Sequence, residues 1–197
     1  MRVAVPRSVI LCAVAISMMG CGLILKPDPD KVAQQGKTAV APGPQVSDAN
    51  IAAIFLAANN TDISYARLVP TRSRSADVKK FADRMMTDHT ALLSQVTEII
   101  GNESLAPEET PISLDLRDES AAKRDILREL EGHAFDSVYV LNEVSYHRRL
   151  LGAIDGVLLP QVRDSSMKRF LTAVRPAVAA HLAHAEQLQG MVITTKK

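Results

Sequence analysis

The sequence predicts an all-α fold, a bundle of four long helices, and two observations carry that prediction. Four segments repeat apolar residues every three or four positions, which is the spacing of one helix face. No segment shows the strict alternation of a half-buried strand. Of the 197 residues, 47% are hydrophobic and only 4% aromatic, so small aliphatic side chains are available to pack between helices. The formal net charge of +1 excludes the strong basic excess of a nucleic-acid binder.

The first 20 residues are expected to be a signal peptide of the lipoprotein type. Arg2 and Arg7 precede an apolar run of about a dozen residues, which is too short to span a bilayer. The run ends Met-Met-Gly-Cys, which resembles a bacterial lipobox, so Cys21 is expected to be the first mature residue and to carry lipid. Ordinary cleavage near this point and an uncleaved signal anchor are the alternatives.

Residues 21–46 are predicted to form a lipid-anchored, flexible tether because they are rich in proline and glycine and lack apolar periodicity. Gly22 follows the cysteine where an aspartate would have favoured the inner membrane. The expected location is therefore the outer membrane, with the folded domain facing the periplasm. The only other cysteine, Cys12, lies in the segment to be removed, so no disulfide is expected.

The first two long helices are predicted between residues 47 and 102. Ser47 or Asp48 can cap the first helix, and Pro70 ends it. An Asn-Asn-Thr run at residues 59–61 weakens its pattern. The second helix opens at Ser75 and ends near a Gly-Asn pair. Their apolar stripes consist of Ile51, Ile54, Phe55, Ala58, Tyr65, Ala66 and Val69, and of Val78, Phe81, Ala82, Met85, Leu92, Val96 and Ile99.

A long connection follows the second helix. Pro107 and Pro111 bracket a polar loop, and residues 118–130 predict a short helix ended by Gly132. This short helix is expected to bury Ala122, Ile126, Leu127 and Leu130.

The third long helix is predicted over residues 134–159, with Pro160 at its end. The fourth begins at Asp164 or Ser165 and contains Pro176, which should kink it. Their stripes consist of Val140, Val144, Leu151, Ile154 and Leu158, and of Met167, Phe170, Leu171, Val174, Val178, Ala185 and Leu188.

The lengths of the connections predict the topology. Short turns join helices one and two and helices three and four, whereas roughly 30 residues separate helices two and three. A connection of that length can run along the whole bundle and place helix three parallel to helix two, as in ferritin-like folds. We therefore predict a ferritin-like four-helix bundle over residues 47–192, with a long crossover carrying a short helix, and a C-terminal tail at 193–197.

One polar residue interrupts the apolar stripe of each long helix. They are Asp62, His89, His147 and His181. An unpaired polar group in a core costs roughly 1–3 kcal/mol, so these four are expected to meet one another, water or a metal ion. At about 1.5 Å per residue, Asp62 and His181 fall at one depth, and His89 and His147 fall less than two helical turns away.

Short motifs on these helices resemble those of a known family, domain-of-unknown-function family 4142, whose members are exported bacterial proteins with a ferritin-like bundle. The resemblance covers about residues 48–188. It departs at Asp62, where the family more often has Glu, and at Arg175, where Leu is usual. It implies the bundle and export but no established activity. The motifs are SADVKKFADRMMTDH at 75–89, FDSVY at 135–139, VSYH at 144–147, MKRF at 167–170, Arg-Pro at 175–176 and His-Leu at 181–182.

Two interpretations of the four polar residues remain after a di-iron centre is set aside. A ferritin-like di-iron centre needs Glu-x-x-His pairs, but Met86, Val144 and Val178 stand three residues before the histidines. Three imidazoles and a carboxylate would instead suit one Zn²⁺, Cu²⁺ or Fe²⁺ ion. The interpretation that the sequence favours is a buried hydrogen-bonded network without an ion, in which the imidazoles pair with Asp62, Asp88, Glu143 or Tyr65.

The predicted function follows from these interpretations. We expect an exported, lipid-anchored module of the bacterial cell envelope with a structural polar core and no catalytic residue. The membrane, reached through the lipid on Cys21, is the one expected partner; no protein partner can be identified. The alternative is a metal-binding or metal-dependent redox protein that holds one transition-metal ion in the bundle core.

Overall fold

The computed structural model of the protein describes residues 45–194. The predicted signal peptide, Cys21 and the tether as far as residue 44 lie outside the described residues, as do residues 195–197. Between residues 45 and 194 the chain is helical and contains no strand, which confirms the all-α prediction.

Four long helices and a crossover helix make up the fold, in agreement with the predicted bundle. The long helices are α1, α3, α5 and α7, and α4 lies in the crossover between α3 and α5. The bounds are α1 Asp48–Ala66, α2 Val69–Arg72, α3 Ala76–Asn102, α4 Pro111–Arg128, α5 Gly132–Ala153, a π-helical turn Ile154–Leu158, α6 Leu159–Gln161 and α7 Ser165–Thr194. The last helix thus continues two residues into the predicted tail.

Polar side chains fix where the helices begin. Ser47 caps α1 and forms a capping box with Asn50. The Ser75 hydroxyl accepts a hydrogen bond from the Val78 N–H at the start of α3. Ahead of α7, Asp164 Oδ1 accepts one from the Met167 N–H at 2.7 Å. Each cap satisfies an N–H group that has no partner within its own helix.

Two apolar clusters define the directions of the helices. One joins the starts of α1 and α7 to the ends of α3 and α5, and the other joins the opposite ends. Helices α3 and α5 therefore run in the same direction, antiparallel to α1 and α7. The first cluster includes Ile51, Phe55, Val96, Leu150, Leu171 and Val178, and the second includes Ala66, Phe81, Met85, Tyr139, Val140 and Leu188.

The crossover helix runs the length of the bundle. Near the start of α4, Ile112 packs against the first cluster, and near its end Leu127 belongs to the second. A crossover of this kind is what the 30-residue connection predicted; the finer assignment as ferritin-like stays a prediction.

The structure differs from the sequence prediction in two segments. Helix α4 begins at Pro111 rather than Asp118, because the Thr110 hydroxyl and the Ser113 side chain form a capping box. Ile126, expected to be buried, is half exposed. The third long helix changes into a π-helical turn before Pro160, where the Leu159 N–H bonds the Ile154 carbonyl. Proline cannot donate to the carbonyl four residues earlier, so a wider turn is accommodated there.

Candidate metal centre

The four polar residues singled out in the sequence meet at one point in the bundle interior. The ring centroids of His89, His147 and His181 lie 5.3–5.6 Å apart in all three pairs. Asp62 Oδ2 lies 3.3 Å from His89 Nε2 and 3.5 Å from His147 Nε2. No side chain of the four is more than 2% exposed. The two depths estimated from residue counts are therefore wrong, since the groups share one level.

This polar layer separates the two apolar clusters. Each long helix contributes one of these four residues, and apolar residues of the two clusters flank it on either side along the helix. The flanking residues of the two clusters are Ala58 and Ala66 on α1, Met85 and Leu92 on α3, Val144 and Leu150 on α5, and Val178 and Ala185 on α7. The helical spacing that builds the core therefore also aims these four side chains at one another.

The orientation of His89 is fixed by an asparagine one turn before Asp62. Asn59 Nδ2 donates a hydrogen bond to the Phe55 carbonyl at 2.7 Å, so its Oδ1 faces His89 Nδ1 at 2.9 Å. Because Oδ1 only accepts, His89 Nδ1 carries the proton and donates. The neutral ring then presents a lone pair at Nε2, on the side of Asp62.

The other two rings are held in the same way. His147 Nδ1 donates to the Glu143 backbone carbonyl at 3.0 Å, which leaves the lone pair on Nε2. His181 Nε2 donates to Asp88 Oδ2 at 2.8 Å, so its Nδ1 is the nitrogen that faces the cluster. Asp88 also accepts from Arg84 Nε at 3.1 Å. Each imidazole thus uses its outer nitrogen as a donor and turns its other nitrogen inward.

The inward-facing atoms have no donor to satisfy them. His89 Nε2, His147 Nε2, His181 Nδ1 and both oxygens of Asp62 are buried without a hydrogen-bond partner in the described part of the chain. Unprotonated imidazole nitrogens and the oxygens of an ionised carboxylate can only accept hydrogen bonds. Of the hydrogen-bonded network that the sequence favoured, the described residues contain the outer bonds, which run from the three rings to Asn59, the Glu143 carbonyl and Asp88.

A fifth buried group, Glu143, belongs to the same cluster. Glu143 is 0% exposed, and neither of its carboxylate oxygens has a hydrogen-bond partner within residues 45–194. One ligand atom from each of Asp62, Glu143 and His147 lies within 4.8 Å of the others. Sequence reasoning named Glu143 only as a hydrogen-bonding candidate. Its position four residues before His147, on the same helix face, is the signal that could have placed it here.

Burial controls the protonation of these groups. Loss of hydration lowers the pKa of His89 to about 3 and that of His147 to about 4, so both rings are neutral at pH 7. The same loss raises the pKa of Asp62, an effect that nearby His147 and His181 oppose. Burial, together with the charge of Asp62, raises the pKa of Glu143 well above its usual value.

Asp88 is the outermost member of the arrangement. Its side chain is 34% exposed, whereas Asn59, the outer partner of His89, is 2% exposed. Partial burial raises the pKa of Asp88, but the hydrogen bonds from His181 and Arg84 outweigh that effect and lower it. Asp88 is therefore an ionised link between the buried rings and solvent.

Other residues considered in the sequence lie beside the cluster. Tyr146 packs edge-on against the His147 ring, with centroids 5.3 Å apart, and its hydroxyl donates to the Ala58 carbonyl at 2.7 Å. Tyr65 packs against Tyr146 at 6.3 Å. Aromatic rings therefore cover the side of the cluster that lies between α1 and α5.

Two groups of side chains in the described residues have the composition and spacing of a metal site. One nitrogen from each of His89, His147 and His181 lies within 4.8 Å of the others, and Asp62, Glu143 and His147 form the second group. The two groups share His147, and Asp62 also contacts His89, so they form a single cluster of five residues. Cys21 lies outside the described residues.

Comparisons with known proteins give one match. Residues 33–188 match a family described as a domain of unknown function (DUF4142). No curated protein and no solved structure matches the chain. None of the helices within residues 45–194 has the length and the apolar composition needed to cross a membrane.

Proposed function

The chain belongs to the family described as a domain of unknown function (DUF4142), and from that premise we propose that it is an exported, lipid-anchored metal-binding protein of the cell envelope. The bundle core holds one divalent transition-metal ion, of the class of Zn²⁺, Cu²⁺ or Fe²⁺. Asp62, His89, His147 and His181 are its ligands. The description of the family assigns no activity, so the proposal depends on the chemistry of the site.

One observation carries the metal assignment, namely a buried cluster of acceptor atoms without hydrogen-bond partners among the described residues. The lone pairs of three imidazoles and a carboxylate face one another with no donor among the described residues. Acceptors in such contact repel, and each buried unsatisfied group costs roughly 1–3 kcal/mol. A cation at the centre satisfies all of them together.

The distances also suit an ion. A metal 2.0–2.2 Å from four tetrahedral ligands separates the ligand atoms by about 3.3–3.6 Å. Asp62 Oδ2 lies 3.3 Å and 3.5 Å from the facing nitrogens of His89 and His147. These separations are long for strong hydrogen bonds but fit two ligands of a common ion.

The outer hydrogen bonds support the same assignment. Metal-bound histidines characteristically donate their other ring N–H to a carbonyl or carboxylate, which fixes the tautomer and orients the ring. Here the three acceptors are the Asn59 side-chain amide, the Glu143 backbone carbonyl and the Asp88 carboxylate. Each ligand ring is therefore already oriented as binding requires.

The burial of the ligands indicates the role of the ion. Asp62, His89 and His147 are at most 1% exposed, and aromatic and aliphatic side chains surround them. Sites closed in this way serve structure or storage, whereas catalytic sites keep a position open to substrate. We accordingly assign the ion a binding and stabilising role, with no catalytic residue.

Features outside the described residues support the envelope location. The apolar run in residues 1–20 and the lipobox-like end at Cys21 favour export and lipidation, and the absence of Asp after Cys21 favours the outer membrane. The proline-rich segment that follows would hold the bundle off the membrane surface.

Metal analysis of the purified full chain tests the proposal. After incubation with Zn²⁺ and removal of excess, we expect one ion per chain, retained by His133→Ala, which alters an exposed histidine. His89→Ala, His147→Ala and His181→Ala should each lose the ion while circular dichroism still reports the helices. A metal-free native protein, or equal metal in all variants, would overturn the proposal in favour of a purely structural polar core.

A further inference from the structure

We infer that Glu143 is the second carboxylate of the site and makes it selective for divalent over monovalent ions. This inference rests on the proposed function and adds a residue and a selectivity to it. Glu143 lies on α5, one helical turn before His147 and on the same face. It is a fully buried carboxylate within the ligand cluster.

The contacts around Glu143 leave its carboxylate available to bind an ion. Its Oε2 lies 3.4 Å from His147 Nδ1, but that nitrogen already donates to the backbone carbonyl of Glu143 at 3.0 Å. Neither carboxylate oxygen makes a hydrogen bond of standard geometry with the described residues, and its polar neighbours are Asp62 and the Tyr139 hydroxyl. Packing alone does not account for a carboxylate here, since an apolar side chain of similar size would fit without the cost of burial.

Charge balance explains why a second carboxylate, that of Glu143, is buried here. When the three imidazoles bind an ion through their inner nitrogens they bring no charge, and Asp62 brings one negative charge, so a divalent ion held by them alone would leave a net positive charge in a buried core. A second carboxylate within the same cluster brings the total to zero. Buried charge is tolerated when it is compensated nearby, so a core with two carboxylates favours a divalent ion, whereas a core with one favours a monovalent ion.

The geometry shows how both carboxylates reach one ion. Asp62 contacts His89 and His147 through Oδ2, and one ligand atom each of Asp62, Glu143 and His147 lies within 4.8 Å of the others. Asp62 and His147 are therefore shared between the imidazole group and the carboxylate group. An ion bound to Asp62 and His147 would therefore lie close enough to Glu143 for this carboxylate to bind it or to balance its charge.

Titration of the full chain with Zn²⁺ and with Ag⁺, the monovalent probe, tests the inference in three variants. Glu143→Gln keeps the shape and removes the charge, and Glu143→Asp keeps the charge on a shorter side chain. Glu98→Gln makes the same chemical change on the exposed face of α3 and serves as the matched control. Co²⁺ replaces Zn²⁺ in a parallel series, because its visible absorption reports the ligand environment.

We expect Glu143→Gln to weaken Zn²⁺ binding at least tenfold while Ag⁺ binding stays equal or improves, and to change the Co²⁺ spectrum. Glu143→Asp should retain Zn²⁺ better than Glu143→Gln, and Glu98→Gln should match the wild type. Equal Zn²⁺ affinity with an unchanged Co²⁺ spectrum in Glu143→Gln, or equal losses for Zn²⁺ and Ag⁺, would overturn the inference and leave the proposed function standing. Failure of the wild type to bind Zn²⁺ would instead overturn the proposed function itself.

Discussion

Replacing Asp62 by asparagine should stabilise the metal-free protein and abolish metal binding. In the wild type, Asp62 Oδ2 lies 3.3 Å from His89 Nε2 and 3.5 Å from His147 Nε2. A carboxylate oxygen therefore faces two nitrogen lone pairs without a hydrogen between them. An asparagine in the same place removes the buried charge and supplies an N–H₂ donor at one of these positions. The change therefore removes a repulsive contact and creates a hydrogen bond, but it removes the anionic ligand.

The expected magnitude follows from the cost of unsatisfied groups. A buried acceptor without a donor costs about 1–3 kcal/mol, so Asp62→Asn should raise the free energy of unfolding of the metal-free protein by that amount. For a chain of this size, each kcal/mol corresponds to roughly 2–4 °C in melting temperature. The wild type should gain about 2.7 kcal/mol from an ion at a hundred times its dissociation constant, and the variant should gain nothing.

Urea unfolding followed by circular dichroism, with a chelator and separately with Zn²⁺, measures both effects. Asp83→Asn, on the exposed face of α3, is the matched control and should behave as the wild type. A metal-free Asp62→Asn protein that is less stable than the wild type would refute the argument that the cluster lacks donors. An undiminished response of this variant to Zn²⁺ would refute the role of Asp62 as a ligand.

Three further predictions concern the partners of the site and the anchor. Because burial raises the pKa of Glu143 above its unfolded value of 4.5, its contribution to stability is present below pH 4.5 and is lost as the pH rises. Glu143→Gln should therefore stabilise the chelated protein by almost nothing near pH 4.5 and increasingly as the pH rises to 7, whereas a pH-independent difference in the free energy of urea unfolding would contradict this. Asp88→Asn should weaken Zn²⁺ binding 10- to 100-fold by loosening His181, and unchanged affinity by competition titration would show that the ring needs no outer partner. Cys21→Ser should move the protein from the membrane pellet to the soluble periplasmic fraction, and continued sedimentation with membranes would count against lipid on that thiol.

The helices could be predicted because their signals are local. The stripe of α3 and its Ser75 cap lie within one stretch of sequence, and the structure places its start at Ala76. The direction of α5 followed from the length of the preceding connection. The exposure of Ile126 could not be predicted in this way, because α4 packs mainly against α1 and makes little contact with α5. Which face of a crossover helix is covered depends on that docking.

The residues of the cluster could be predicted, but their common level could not. The residue counts assumed that the end of α1 and the start of α3 lie at the same depth in the bundle. In the structure, His89 lies thirteen residues after the start of α3, yet it contacts Asp62, which lies four residues before the end of α1. The first turns of α3 therefore extend past the end of α1, where Val69 of the short helix α2 packs in the same apolar cluster.

The choice between a hydrogen-bonded core and a metal site was also beyond the sequence. Both interpretations use the same residue types, and only the orientation of the rings separates them. Asn59, which the sequence indicated merely as a weak point of α1, orients His89 because its amide is fixed by the Phe55 carbonyl. A side-chain orientation of this kind depends on neighbouring groups in three dimensions.

Each long helix supplies one of the four proposed ligands, and this division has a consequence for where the ion is acquired. No hairpin of two helices carries more than two of these four ligands, so a partly folded chain has no complete set. A chain that crosses a membrane unfolded would therefore arrive empty and capture its ion only once all four helices have assembled. The ion supply of the destination compartment, rather than that of the cytoplasm, would then decide which metal the mature protein contains.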